Sequence, residues 1–178
     1  MYQKILDFWF KEIEPQQWWV KDESFDQLIT QRFGQVHSQA VQGELFHWRS
    51  SIYGRLAEII VLDQFSRNMY RDTPLSFAYD GMAIVLAQEA IQSNTHNELT
   101  AVERSFLYMP FMHSESLAIH EEAVKLFASN GIENNYQFEL QHKVIIERFG
   151  RYPHRNTILG RESTAEELSF LQQPNSSF

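Results

Sequence analysis

Cysteine does not occur anywhere in the 178 residues. No disulfide framework, thiolate nucleophile or cysteine-ligated metal or iron–sulfur centre is therefore open to the chain. Long apolar runs are missing as well: nothing approaches the ~20 consecutive apolar residues that a membrane-spanning helix needs. The opening residues Met1 to Phe8 carry no signal-peptide pattern, because Asp7 and Lys11 interrupt any apolar segment, and a cytoplasmic setting is expected. Basic residues are in deficit, 15 Lys and Arg against 23 Asp and Glu, which gives a net charge of −8. That balance argues against nucleic acid and against membrane as partners of the average surface.

What is present is apolar and aromatic. Hydrophobic residues make up 43% of the chain and Phe, Trp and Tyr 14%, so one bulky, aromatic core is expected in a chain of single-domain length. The domain is read as residues 1–172, all-α, with 173–178 as a flexible tail. Helical periodicity dominates. The pattern predicts helices over Tyr2 to Phe10, from a Ser24 cap to about Ala40, and from Ser51 to about Tyr70. Others are predicted from a Ser76 cap to Ala90 and from the Thr100–Glu103 capping box to a break at Pro110. The last three run from Ser116 to Ala128, from Glu133 to Phe149, and from a second capping box at Thr164–Glu167 to Leu171. About eight helices joined by short loops pack as antiparallel hairpins. Trp18 and Trp19 are expected as lids on the core.

Three places carry polar residues where a purely structural helix would hold leucine. In the central helix the stripe Ile52, Leu56, Ile59 continues into Asp63 and Arg67, with Asn68 just beyond. An acid and a base four apart there read either as a buried ion pair that staples helices or as the lining of a polar pocket. The second place runs from Glu103 through Tyr108 and Pro110 to His113 and Glu115. Glu103 has the plain explanation of a capping acid. His113 reads as a satisfied core histidine or as a general base beside a carboxylate. The third runs from His142, on the inner face of its helix, through Arg148, Arg151, His154, Arg155 and Asn156 to Arg161. Four arginines in one short stretch of an acidic protein suit a phosphate or carboxylate, or else pair with surface acids. Phosphate-binding and dinucleotide-binding loops and the hydrolase elbow are absent. Glu139 and His142 have the spacing of a di-iron ligand pair, but it occurs once, so neither a metal nor a cofactor is expected.

Three segments are together identified as the hallmarks of a widespread bacterial family catalogued as domain of unknown function number 924. They are Asp63-Gln64-Phe65-Ser66-Arg67-Asn68, Glu103-Arg104-x-Phe106-x-Tyr108-x-Pro110-Phe111-x-His113-Ser114-Glu115, and Arg148-Phe149-Gly150-Arg151-Tyr152-Pro153-His154-Arg155-Asn156 with Leu159-Gly160-Arg161. Phe8-Trp9-Phe10 and Phe25-Asp26 match it too. The resemblance implies a tetratricopeptide-like helical stack and no established activity. The sequence departs from the family pattern at Ile119-His120, where Asp-Gln is expected, and at Tyr152, where Phe is usual.

Two functions follow as expectations. In the first, a small anionic molecule is held in a polar pocket between helices and is acted on in the catalytic form of this reading. Asp63, His113 and His142 then serve as acid–base groups, and Arg67, Asn68, Glu103, Tyr108, Glu115, Arg151, His154, Arg155 and Asn156 as ligand contacts. In the second, the stack is a module that binds a peptide or protein partner, and the same polar residues form a buried structural network. Oligomeric state is not legible.

Overall fold

The computed structural model describes residues 1–174, 176 and 177; Asn175 and Phe178, part of the tail expected to be flexible, lie outside the described residues. Among the described residues the chain forms nine α-helical segments, two of them joined end to end so that eight helices result, and no strand. α1 (Tyr2–Asp7) runs on into a π-turn (Phe8–Glu12), and α2 spans Glu23–Val41. α3 (Ile52–Ile60) continues without a break through a second π-turn (Val61–Phe65) into α4 (Ser66–Met69). Then come α5 (Asp80–Gln92), α6 (Ala101–Met112), α7 (Leu117–Asn130), α8 (Glu133–Phe149) and α9 (Ala165–Leu171). No helix among these is long and apolar enough to cross a membrane.

The caps follow local chemistry. Thr100 with Glu103 and Thr164 with Glu167 form reciprocal capping boxes. Gly131 and Gly150, at φ 78° and 67°, end α7 and α8 in the left-handed conformation that glycine adopts freely. Elsewhere the structure corrects the expected boundaries. Asp22, not Ser24, caps α2, because its carboxylate Oδ1 accepts from the amides of both Ser24 (2.8 Å) and Phe25 (3.2 Å). Ser76 does not open α5. It lies in a 3₁₀ turn begun by Pro74, its hydroxyl donates to the Tyr70 carbonyl, and α5 starts four residues later at Asp80. Pro110 sits inside α6 rather than ending it. Only two helical residues follow it, so the missing amide costs a single backbone bond near the helix end.

α3 is the hub. It is apolar on nearly every side, and Ile52, Leu56, Ala57, Ile59 and Ile60 are all buried. It packs on α1, α5 and α6. An aromatic layer closes one end of the core. Phe8 lies 4.9 Å from Phe33, Phe33 5.2 Å from Phe65, and Trp9 5.7 Å from Phe106, measured between ring centroids. Trp18 lies over this layer 5.0 Å from Phe106, and its indole donates to the Trp9 carbonyl at 2.9 Å. Trp19 stacks on Phe106 but stays exposed. The C-terminal half is more regular: α7 packs on both α6 and α8. The N-terminal half is not a simple succession of neighbours, since α1 packs on α3 and α2 on α4; a helix buried on all faces draws in every element able to cover it.

One contact tests the packing around α3. A Cβ built on Gly54 would sit 2.1 Å from the Trp48 carbonyl oxygen, where the turn Phe46–Ser50 crosses α3, whereas one on Gly34 in α2 meets nothing within 4 Å. Gly54→Ala should destabilise the fold by about 3 kcal/mol through overpacking. Gly34→Ala should stabilise it by about 0.5–1 kcal/mol through helix propensity. Urea denaturation of the two variants checks both signs.

Candidate functional site

The π-turn Val61–Phe65 places Asp63 inside the protein with no exposed surface. Its Oδ1 meets Arg67 Nη1 at 2.9 Å and His113 Nδ1 at 2.8 Å, and its Oδ2 accepts from Gln64 Nε2 at 2.6 Å. Arg67, with 19% of its side chain exposed, also donates to both oxygens of Asp80 at 2.9 and 3.0 Å. Burial alone would raise the Asp63 carboxyl, but the Arg67 charge and the bonds to His113 and Gln64 outweigh it, and the group is held well below the usual carboxylate range. For Arg67 the loss of solvation is likewise outweighed, by Asp63 and Asp80, and it stays charged.

His113 caps the C-terminus of α6. Burial, and then the charge of Arg67, push its pKa down, against the pull of Asp63, so the ring is neutral near pH 7. Because Nδ1 faces an ionised carboxylate, it carries the proton. Nε2 is left as an acceptor and has no hydrogen-bond partner among the described residues. The side chain is 16% exposed, and it lines a cleft of about 350 Å³ between the start of α5, the end of α6 and the loop after α8.

Asp80, Ser114, Glu115 and Arg155 complete the polar wall of that cleft. Arg155, only 6% exposed, has its guanidinium between the Phe77 and Tyr152 rings, at 4.6 and 4.5 Å from their centroids. Its Nη2 donates to the His113 carbonyl at 3.0 Å, and Nη1 stands 3.5 Å from Asp80 Oδ2. Nε is buried with no partner among the described residues. Burial, with Arg67 nearby, lowers the Arg155 pKa to about 10, which leaves it a cation with donors to spare.

The four arginines of the loop do not form one anion site. Arg148 is bound to Glu166 (2.8 Å) and Arg151 to both oxygens of Glu167 (2.6 and 2.8 Å), which pins α9. Arg161 grips both oxygens of Glu115 at 2.7 and 2.9 Å. Arg155 alone reaches the cleft wall, because the 3₁₀ turn Pro153–Arg155 directs it inward. Glu115 lies on that wall, but its oxygens are taken by Arg161 and by the Tyr152 amide at 2.8 Å. Asn156, fully buried, donates to Ser163 Oγ at 3.0 Å and accepts from Arg161 Nε at 2.9 Å. These bonds fold the loop.

The remaining expected contacts lie apart from the cleft. Asn68 donates to Asp26 at 2.8 Å, beside Arg71. Glu103 serves the capping box, and Tyr108 is core, 5.8 Å from Phe127. His142 donates from Nδ1 to the Phe138 carbonyl at 2.7 Å and faces the Tyr152 ring at 5.7 Å. Burial pushes it down to about 3, and His154, also against Tyr152, down to about 4. Neither lines the cleft. Asp80 and Phe77 went unnoticed in the sequence. An acid in the first turn of a helix reads as an ordinary dipole partner, and nothing local signals that it bridges two arginines. The two departures from the family pattern meet: the Tyr152 hydroxyl lies 3.2 Å from His120 Nε2.

The protein is all-helical, with a buried acid–histidine pair beside an inter-helix cleft. Residues 5–175 match the family described as bacterial protein of unknown function (DUF924), and the chain belongs to that family. It is similar to the solved structure of a protein of unknown function from Agrobacterium tumefaciens, with 37% identity over 96% of each chain and a TM-score of 0.91. Among curated proteins there is no match.

Two outcomes test these electrostatics. Asp63→Ala leaves Arg67 and His113 facing a void, and should cost about 3–5 kcal/mol in urea unfolding; a loss under about 0.5 kcal/mol contradicts the described pair. His142 and His154 titrate lower when folded than when unfolded, so the unfolded chain binds more protons below about pH 6.5. Their contribution is present above that pH and is lost as the pH falls towards about 4 and then about 3. Melting temperature should drop through this window, and His142→Phe should flatten the slope.

Proposed function

We propose that the cleft binds a small molecule through an anionic group held by Arg155, and that His113 acts as a general base on that molecule or on a water beside it. The observation that carries this reading is His113 itself: Nδ1 bonded to a buried carboxylate, Nε2 without a hydrogen-bond partner among the described residues, and the side chain on the wall of a cleft. In that arrangement Asp63 keeps the proton on Nδ1 and stabilises the imidazolium that forms when Nε2 takes a proton. Arg155, with unmatched donors in a desolvated place, answers negative charge on the ligand or charge that develops on it. Arg67 supports Asp63 and does not touch the ligand. His142 has no part in the chemistry.

A second reading, a tetratricopeptide-like module for a peptide or protein partner, draws on the consecutive packing of α6, α7 and α8 and on Phe138 and Val144 exposed along α8. The two separate in a melting experiment. Acetate or phosphate should raise the melting temperature of the wild type by linkage, about 3 °C at ten times the dissociation constant for a chain of this length. Arg155→Met should abolish the rise, and Arg151→Ala should preserve it. If neither anion shifts melting at tens of millimolar, the anion site is wrong and the interaction module is the better account.

A further inference from the structure

Resting on that reading of the cleft, we infer that its ligand is a monocarboxylate with an apolar body, not a phosphate. The charges decide the head group. Around the cleft stand three acids, Asp63, Asp80 and Glu115, and three arginines, Arg67, Arg155 and Arg161, linked as ion pairs. Arg67 is held by Asp63 and Asp80, and Arg161 by Glu115 and Asn156. Arg155 is the one arginine among the residues that line the cleft, and its Nε has no partner among the described residues, so one guanidinium is available to one anionic group. A ligand carrying a single negative charge brings this balanced cluster to −1, which protonation of His113 then cancels. A phosphate dianion brings it to −2 against two carboxylates, Asp80 and Glu115, that already line the wall, and in a desolvated site that repulsion is weakly screened.

The apolar lining decides the rest of the molecule. Phe77, Ile84, Pro110 and Leu159 also line the cleft and offer no hydrogen-bonding side chain. A cleft of this size, lined by apolar residues together with a few polar groups, is suited to an amphiphilic small molecule. The carboxylate then sits at Arg155 beside His113 Nε2, and the carbon body lies along Ile84 and Leu159.

Titration calorimetry with acetate, butanoate, hexanoate, inorganic phosphate and hexan-1-ol tests the assignment. Affinity should tighten roughly two- to fourfold for each added methylene, phosphate should bind at least tenfold more weakly than butanoate, and hexan-1-ol should bind no better than acetate. Arg155→Met should weaken hexanoate to the level of the alcohol. Ile84→Trp should remove the chain-length dependence and leave acetate unchanged, with Leu159→Trp as a second variant should the first not fold. Phosphate binding more tightly than hexanoate, or equal affinities along the acid series, overturns the ligand class and leaves the anion site standing. No binding of any of these anions overturns both.

Discussion

A carboxylate with no exposed surface has lost all of its water, and protein donors must replace it or the group cannot stay charged. Asp63 is in that position, and most of the polar architecture follows from supplying it. Arg67 supplies the countercharge; Arg67 is itself too buried to be left with a single partner, and so binds Asp80. Asp80 lies next to Arg155, Arg155 donates to the carbonyl of His113, and the His113 ring returns to Asp63. The chain of contacts closes on itself. Four segments meet in it: the π-turn with α4, the first residue of α5, the last turn of α6, and the loop after α8. Charges alternate around the ring, which is the condition under which buried ions cost little, and the removal of any one of them leaves its neighbour unpaired.

A second network holds the loop that delivers Arg155. Glu115 binds the Tyr152 amide and the Arg161 guanidinium, Arg161 binds Asn156, and Asn156 binds Ser163 just before α9. Arg151 and Glu167 then tie the loop to the first turn of α9, with Glu167 also closing the Thr164 capping box and held down to about 2 by Arg151. The concentration of arginine in an acidic chain is thus largely structural. Three of the four are answered within the fold, and their work is to fix the direction of the fourth. Tyr152 serves both networks: its amide bonds Glu115, its ring stacks on Arg155, and its hydroxyl reaches Met112 and His120 across the α6–α7 junction.

How much of this was legible depends on whether the signal was local. The apolar stripe of α3 and its continuation into Asp63 and Arg67 are read from spacing alone, as are the two capping boxes, because each rests on residues within one or two turns. His113 stood out as a histidine beside a proline and an acid. Arg151 and Arg155 could not be told apart: they are the same residue type, four positions apart, on either side of Pro153. A 3₁₀ turn, the neighbouring Tyr152 ring and the Phe77 ring from a distant segment hold Arg155 inward, and Arg151 is left nearer the surface. Asp80 was hidden for the same reason, since its two arginines lie 13 and 75 positions away in the chain. Ser76 misled because a serine after a proline looks like a cap whether or not the helix starts there.

The π-turn explains how one short helix takes part in two separate networks. An i→i+5 turn inserts a residue and sets everything after it back by about 100° relative to an unbroken α-helix. The stripe of Ile52, Leu56 and Ile59 faces the core before the turn, and the residues after it are rolled onto new neighbours. Ser66, fully buried, then donates to the Leu62 carbonyl at 2.6 Å and meets His37 of α2 at 2.8 Å. Asn68, and Arg71 just beyond α4, reach Asp26 on α2, while Arg67, just before Asn68, reaches Asp80 at the cleft. α4 is a single turn, too short to be stable alone, and its position is set by bonds on both sides. The geometry behind His113 is consequently anchored in α2 as well as in the cleft: Asp26 holds the residues that flank Arg67's turn, and Arg67 holds the carboxylate that orients the histidine.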